Sequence, residues 1–340
     1  NKVSKCNPRK MKGKRMNHRT LGRTGYRVSE IGFGAWGIGG AMWHGSDDDT
    51  SLAALATALD LGLDFIDTAL AYGDGHSEKL VARVLRDRNG SVVIATKIPP
   101  QNHEWPARRG ISLRKVFPAS HVRACAERSA RNLARPIDLL QFHVWRDEWL
   151  LDADWPDVER TMGALTTEGT VRAWGISIND HDPGSALEAV RRCDLVASVQ
   201  VIYNLFDRSP ERELFPLCRE RNVGVIARVP LDEGGLTGGI GPETTFPRGD
   251  WRNEYFTDTR KAEVAERVAR LQPVILKESA SLVEGALRFC LSHPAVSTVI
   301  PGMRTPEHAR ANCGVSDGRV LSVGLLKELK EHQWERNFYE

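Results

Sequence analysis

From Ile31 onward, short apolar runs rich in valine, isoleucine and phenylalanine alternate with amphipathic stretches, and the alternation occurs eight times. The runs are 31–36 (IGFGAW), 63–67 (LDFID), 91–97 (SVVIATK), 137–143 (IDLLQFH), 171–177 (VRAWGIS), 196–201 (VASVQV), 223–228 (VGVIAR) and 296–300 (VSTVI). Stretches of helical spacing separate them. Leu52, Leu55, Ala56 and Leu59 follow i, i+3, i+4, i+7, and Val122, Cys125, Ala126 and Leu133 repeat the device. A strand followed by a crossover helix brings the next strand in parallel to the first. Eight such units are the arithmetic of a (β/α)8 TIM barrel, whose chemistry gathers at the C-terminal ends of the strands.

Two pieces fall outside the repeat. Residues 18–30 (HRTLGRTGYRVSE) read as a small β-hairpin around Arg23-Thr24-Gly25, suited to plug one mouth of the barrel. Residues 321–335 (LSVGLLKELKEHQWE) read as an additional C-terminal amphipathic helix. Long loops, Pro99 to Phe117, Val144 to Trp155 and Val229 to Asp258, follow strands three, four and seven on the face that carries chemistry. Gly32-Phe33-Gly34-Ala35-Trp36-Gly37 matches G-x-G-x-x-G, a dinucleotide fingerprint when its third glycine opens a helix. Here helical patterning resumes only near Thr50, behind 46–50 (SDDDT), which reads as an N-cap with acids favourable to the helix dipole. The motif is therefore a glycine-permissive barrel strand and loop.

Composition narrows the function. Of 47 basic residues, seven (Lys2, Lys5, Arg9, Lys10, Lys12, Lys14, Arg15) precede Met16 in a stretch with no acid, which leaves 40 basic against 44 acidic in the rest. Residues 1–15 read as a disordered basic extension or upstream remnant, and 16–340 as a single barrel domain. The mildly acidic body gives no nucleic-acid footprint, and no apolar run reaches the ~18 residues of a membrane span. The six cysteines are scattered with no C-x-x-C pair, which points to reduced thiols in a cytoplasmic protein with no metal site.

Strand two ends in Asp67-Thr68-Ala69-Leu70-Ala71-Tyr72-Gly73, strand three in Thr96-Lys97 and strand four in Phe142-His143. A barrel would bring that acid, phenol, amine and imidazole to one mouth. Such a set suits proton donation to a carbonyl oxygen. A free tyrosine, with a pKa of about 10, is a poor acid, and an adjacent lysine cation favours the phenolate and is expected to draw that value down. Asp67 would keep Lys97 charged, and His143 would orient or polarise the substrate oxygen.

Asp-Thr-Ala-x-x-Tyr-Gly, Ala-Thr-Lys and Leu-Gln-x-His at successive strand ends resemble the aldo-keto reductases, and the resemblance runs from about Asn17 through Glu335. It implies that Asp67, Tyr72, Lys97 and His143 form the catalytic tetrad, with Tyr72 as general acid and a nicotinamide cofactor extended across the barrel mouth. It further implies that Gly34 borders the cofactor and Trp36 the substrate, and that Ser177 and Gln200 contact the nicotinamide carboxamide. Ile178 separates Ser177 from Asn179, where the family often has Ser-Asn adjacent. In Ala227-Arg228-Val229-Pro230-Leu231, Arg228 stands where many members carry an aromatic that stacks on the nicotinamide; a guanidinium plane can also stack on a ring. The following loop, with Gly235, offers small residues to the diphosphate. Gly302, Arg304, His308 and Asn312 resemble the segment for the adenosine end, Arg304 being suited to a 2′-phosphate. NADPH is thus favoured, with NADH possible.

Trp43, Trp105, Trp145, Trp149 and Trp251 fall in mouth-side loops, and a substrate pocket lined by Trp36, Trp105 and Trp145 is expected. The function implied is NAD(P)H-dependent reduction of a small carbonyl compound or sugar, by a monomer or weak homo-oligomer with no nucleic-acid or membrane partner. Two alternatives stay open: an NAD(P)+-dependent sugar or secondary-alcohol dehydrogenase, and a nicotinamide-binding, redox-sensing regulatory subunit.

Overall fold

All eight apolar runs form strands. The computed structural model describes residues 16–40, 45, 47–88 and 90–336; the basic extension 1–15 and Trp43 lie outside the described residues. A hairpin of β1 (His18–Thr20) and β2 (Arg27–Ser29) precedes β3 (Phe33–Gly34), β4 (Phe65–Asp67), β5 (Val93–Ile98), β6 (Leu139–Phe142), β7 (Trp174–Ser177), β8 (Val196–Ile202), β9 (Gly224–Arg228) and β10 (Val296–Val299). Strands β3 to β10 pair in parallel in sequence order. Parallel bridges Ile31–Val299 and Gly34–Gly302 join the first of them to the last and close the barrel.

The first two glycines of the false dinucleotide motif, Gly32 and Gly34, lie against the closing segment. A Cβ on Gly34 would stand 2.7 Å from the Ile300 carbonyl oxygen and 3.0 Å from that of Pro301, so a larger residue would force the closing strands apart. A 3-10 turn, Trp36–Ile38, follows. The next helix, Asp48–Asp60, begins behind Asp47, whose side chain accepts from the Thr50 amide at 2.9 Å. Its most buried face is Ser51, Ala54, Leu55 and Ala58, while Leu52, Ala56 and Leu59 sit only partly buried at the border. The expected stripe is rotated because small residues suit close packing on the neighbouring helix Pro306–Cys313.

The hairpin seats in the mouth opposite the chemistry. Leu21 and Val28 are fully buried against Phe65, Val93, Ala95, Leu139, Ile226 and Ile300. Gly224 makes room, since a Cβ there would lie 2.6 Å from the Leu21 side chain. Arg23 fastens the hairpin from outside, donating to the Val196 carbonyl at 3.1 Å and the Cys193 carbonyl at 3.0 Å. The C-terminal segment is shorter than one continuous helix: Val323–Glu328 is α-helical and Leu329–His332 is 3-10. The chain tightens there so that the Trp334 amide reaches the Phe206 carbonyl at 2.8 Å and its ring packs on Phe206.

Candidate active site

The parallel barrel delivers four polar side chains to one mouth. Asp67 is the last residue of β4, Lys97 the penultimate residue of β5, His143 follows β6, and Tyr72 lies on the turn after β4. Lys97 and Asp67 are fully buried. Lys97 Nζ donates to Asp67 Oδ2 at 2.6 Å, to the Thr68 carbonyl at 2.8 Å and to the Tyr72 hydroxyl at 3.2 Å. All three ammonium protons therefore have acceptors. The other oxygen of Asp67 accepts from Gln200 Nε2 at 2.7 Å and Gln141 Nε2 at 3.4 Å. The His143 ring meets the Tyr72 ring edge-on, with centroids 5.7 Å apart, and Trp105 meets His143 at 4.4 Å.

Electrostatics assigns protonation states to this group. Burial alone would lower Lys97, but Asp67 and the Tyr72 hydroxyl outweigh it and hold the ammonium above its ordinary value. Burial, reinforced by the cations Lys97 and Arg228, puts His143 well below its usual value, so the imidazole is neutral. For Tyr72 the expected downward shift is not found. Burial dominates and raises the phenol above 10, with Lys97 opposing it only in part. The sequence places the cation beside the phenol but does not reveal the desolvation that outweighs it. Tyr72 is thus a firmly protonated phenol next to a cation able to stabilise the oxygen left when the proton departs.

A cavity of about 1620 Å³ opens over these groups. Trp36, Trp105 and Trp251 line it with Tyr72 and His143, as do Gly34, Ser177, Gln200, Arg228, Pro230, Leu231, Gly302, Arg304, His308 and Asn312. Lys97, fully buried, is not on its wall, and two further expected positions do not line it either. Trp145 is fully buried among Phe142, Trp149 and Trp155, its indole N–H donating to Asp147 at 3.0 Å, so it is core rather than substrate wall. Gly235 is buried beneath the loop, where a Cβ would stand 2.5 Å from Asp232 Oδ2; its missing side chain makes room for that carboxyl. Trp149 likewise spends its indole N–H on the Ile111 carbonyl at 2.8 Å. Asn179 is buried and pairs with both the amide and the carbonyl of Ala107, which anchors the loop after β5.

Several pairings around the cavity were not evident from sequence. Gln141 stands in the Leu-Gln-x-His stretch and braces Asp67. Arg228 donates to the Ile178 carbonyl at 3.0 Å and pairs with Asp180, so its guanidinium is tethered to the loop after β7. The loop after β9 is fastened by buried Asp232, which accepts from Tyr255 at 2.7 Å and from Arg260 at 3.0 and 3.1 Å. Arg252, paired with Asp250 at 2.7 Å, brings a second guanidinium near Arg304; burial and that cation together lower Arg304 from its ordinary value. Most of these pairings span 23 to 74 positions and leave no periodic trace in sequence.

Comparison with known proteins agrees with this architecture. A sequence model of the aldo/keto reductase family matches residues 30–333. Aldo-keto reductase YhdN of Bacillus subtilis is 30% identical over 309 residues, covering 87% of each chain. The NADH-specific methylglyoxal reductase of Escherichia coli is 28% identical, covering 92% of this chain and 97% of its own. Among solved structures, the glycerol dehydrogenase AKR11B4 of Gluconobacter oxydans superposes with a TM-score of 0.74 at 27% identity, covering 95% of each chain. With strand ends, closed barrel and family match in agreement, this chain belongs to the aldo/keto reductase family.

Proposed function

We propose that this protein reduces a small aldehyde or ketone to the alcohol, with Tyr72 as the proton donor and NADPH as the preferred cofactor. The observation that carries the reading is Lys97 Nζ bridging Asp67 and the Tyr72 hydroxyl at 2.6 and 3.2 Å. A bound nicotinamide dinucleotide would supply the hydride to the carbonyl carbon. Tyr72 gives its proton to the carbonyl oxygen, Lys97 stabilises the phenolate that results, and Asp67 holds Lys97 in place. Neutral His143 orients the same oxygen by hydrogen bonding, and Trp36, Trp105 and Trp251 restrict water around it.

The residues present fit a dinucleotide. The cavity is large enough, Ser177 and Gln200 offer polar atoms for a carboxamide, and the Nε2 of Gln200 is spent on Asp67 and Gln141, leaving its carbonyl oxygen outside those bonds. Arg304, with Arg252 near it, favours the extra phosphate of NADPH; the relative named for NADH specificity keeps NADH in the test. Tyr72 carries its proton at neutral pH, as a donor for reduction must, while the likeness to a glycerol dehydrogenase favours alcohol oxidation as the second reading. Purified protein followed by nicotinamide absorbance with NADPH, NADH and their oxidised forms, against aldehydes, ketones, sugars and polyols, decides between them. Multiple turnover also separates both from a cofactor-sensing subunit, which would bind tightly and turn over at most once.

A further inference from the structure

Glu233 lies in the run Asp232-Glu233-Gly234, whose φ angles are +49°, +54° and +105°. Two consecutive non-glycine residues in the left-handed region are costly, and such backbone persists where the surroundings impose it. Here it puts Glu233 in the wall of the cavity, where no hydrogen bond or ion pair among the described residues holds its carboxyl. The charges around it already face one another: Arg228 of β9 pairs with Asp180 of the loop after β7, and Arg260 of the helix Asp258–Ile275 pairs with Asp232. Just beyond, His181 pairs with Asp207 at 2.7 Å. Glu233 is the surplus carboxyl of this cluster.

We propose that Glu233 couples cofactor binding to proton uptake: the anionic dinucleotide occupies the cavity that Glu233 lines while Glu233 is protonated, and an ionised Glu233 repels it. The inference rests on the cofactor reading above. Its half-buried place in the cavity wall pushes this carboxyl up to about 8; Arg228 and Arg260 oppose the rise, and Asp232 and Asp180 add to it. An anion in that cavity disfavours the charged form further, so the bound state holds a proton that the free state has released above about pH 8. Affinity and proton uptake are linked by that difference.

The test is titration of NADPH into the wild-type protein and Glu233→Gln from about pH 7 to 9.5, above the region near 6 where a 2′-phosphate titrates. Calorimetry in two buffers of different ionisation enthalpy counts the protons. Wild-type affinity is expected to fall by up to about tenfold per pH unit above about pH 8, with close to one proton taken up per dinucleotide near pH 9. Glu233→Gln should bind with no slope over that range. Equal slopes in the two proteins, or no uptake by the wild type near pH 9, would overturn the proposal; the uptake measurement needs no variant. Failure of both NADPH and NADH to bind at pH 7 would instead defeat the cofactor reading, and this inference with it.

Discussion

The Lys97 ammonium lies 3.2 Å from the Tyr72 hydroxyl, yet Tyr72 remains a weaker acid than free tyrosine because burial outweighs that cation. The sign of the pH dependence follows. Reduction needs the protonated phenol, which persists below its raised pKa, so kcat for reduction at saturating cofactor should stay level from about pH 6 to 9. Neutral His143 adds no limb near 6.5. Oxidation needs the phenolate and should climb with pH. Lys97→Met removes the opposing cation, so its oxidation limb should move to higher pH in a kcat profile; an unmoved limb would contradict the pairing.

Arg304 half-buries its guanidinium at the cavity. Arg304→Ala should weaken NADPH binding by about 1.5–3 kcal/mol, the worth of a hydrogen bond to a charged group, and leave NADH nearly unchanged. Fluorescence titration of both cofactors checks it, and equal losses would remove the 2′-phosphate assignment.

Arg288, fully buried, donates to Glu284 at 2.8 Å, to Asp317 at 2.8 and 3.0 Å and to the Arg319 carbonyl at 2.8 Å. Arg288→Met should cost about 3 kcal/mol in urea unfolding, the lower end for a broken buried pair, because Arg319 still reaches both carboxyls. The hydrogen bond from Arg288 holds Asp317 far below the usual carboxylate range. That contribution is present above the unfolded value of about 4 and fades as pH falls through the depressed one, so the gap between wild type and variant should narrow in acid.

The meeting of Asp67, Tyr72, Lys97 and His143 was legible because a strand-helix repeat sends every strand the same way, and its end residues to one mouth. What faces that mouth within a loop was less legible. A tryptophan in a mouth-side loop reads alike whether it packs inward, as Trp145 does on Phe142 and Trp155, or toward the cavity, as Trp105 does. Gly235 read as room for a diphosphate, whereas the space is taken by Asp232, whose partner Arg260 lies 28 positions away. Nor does sequence reveal desolvation, which reversed the expected shift of Tyr72, or the left-handed backbone that turns Glu233 to the cavity.

The proton donor is the central claim, and Tyr72→Phe tests it most directly by removing one oxygen and keeping the ring that packs near Trp36 and His143. Folding and cofactor affinity should be retained. On the best carbonyl substrate of the wild type, kcat should fall by about 10²–10⁴, the usual worth of general acid catalysis. A kcat within a few-fold of wild type would contradict the assignment of Tyr72 as the acid.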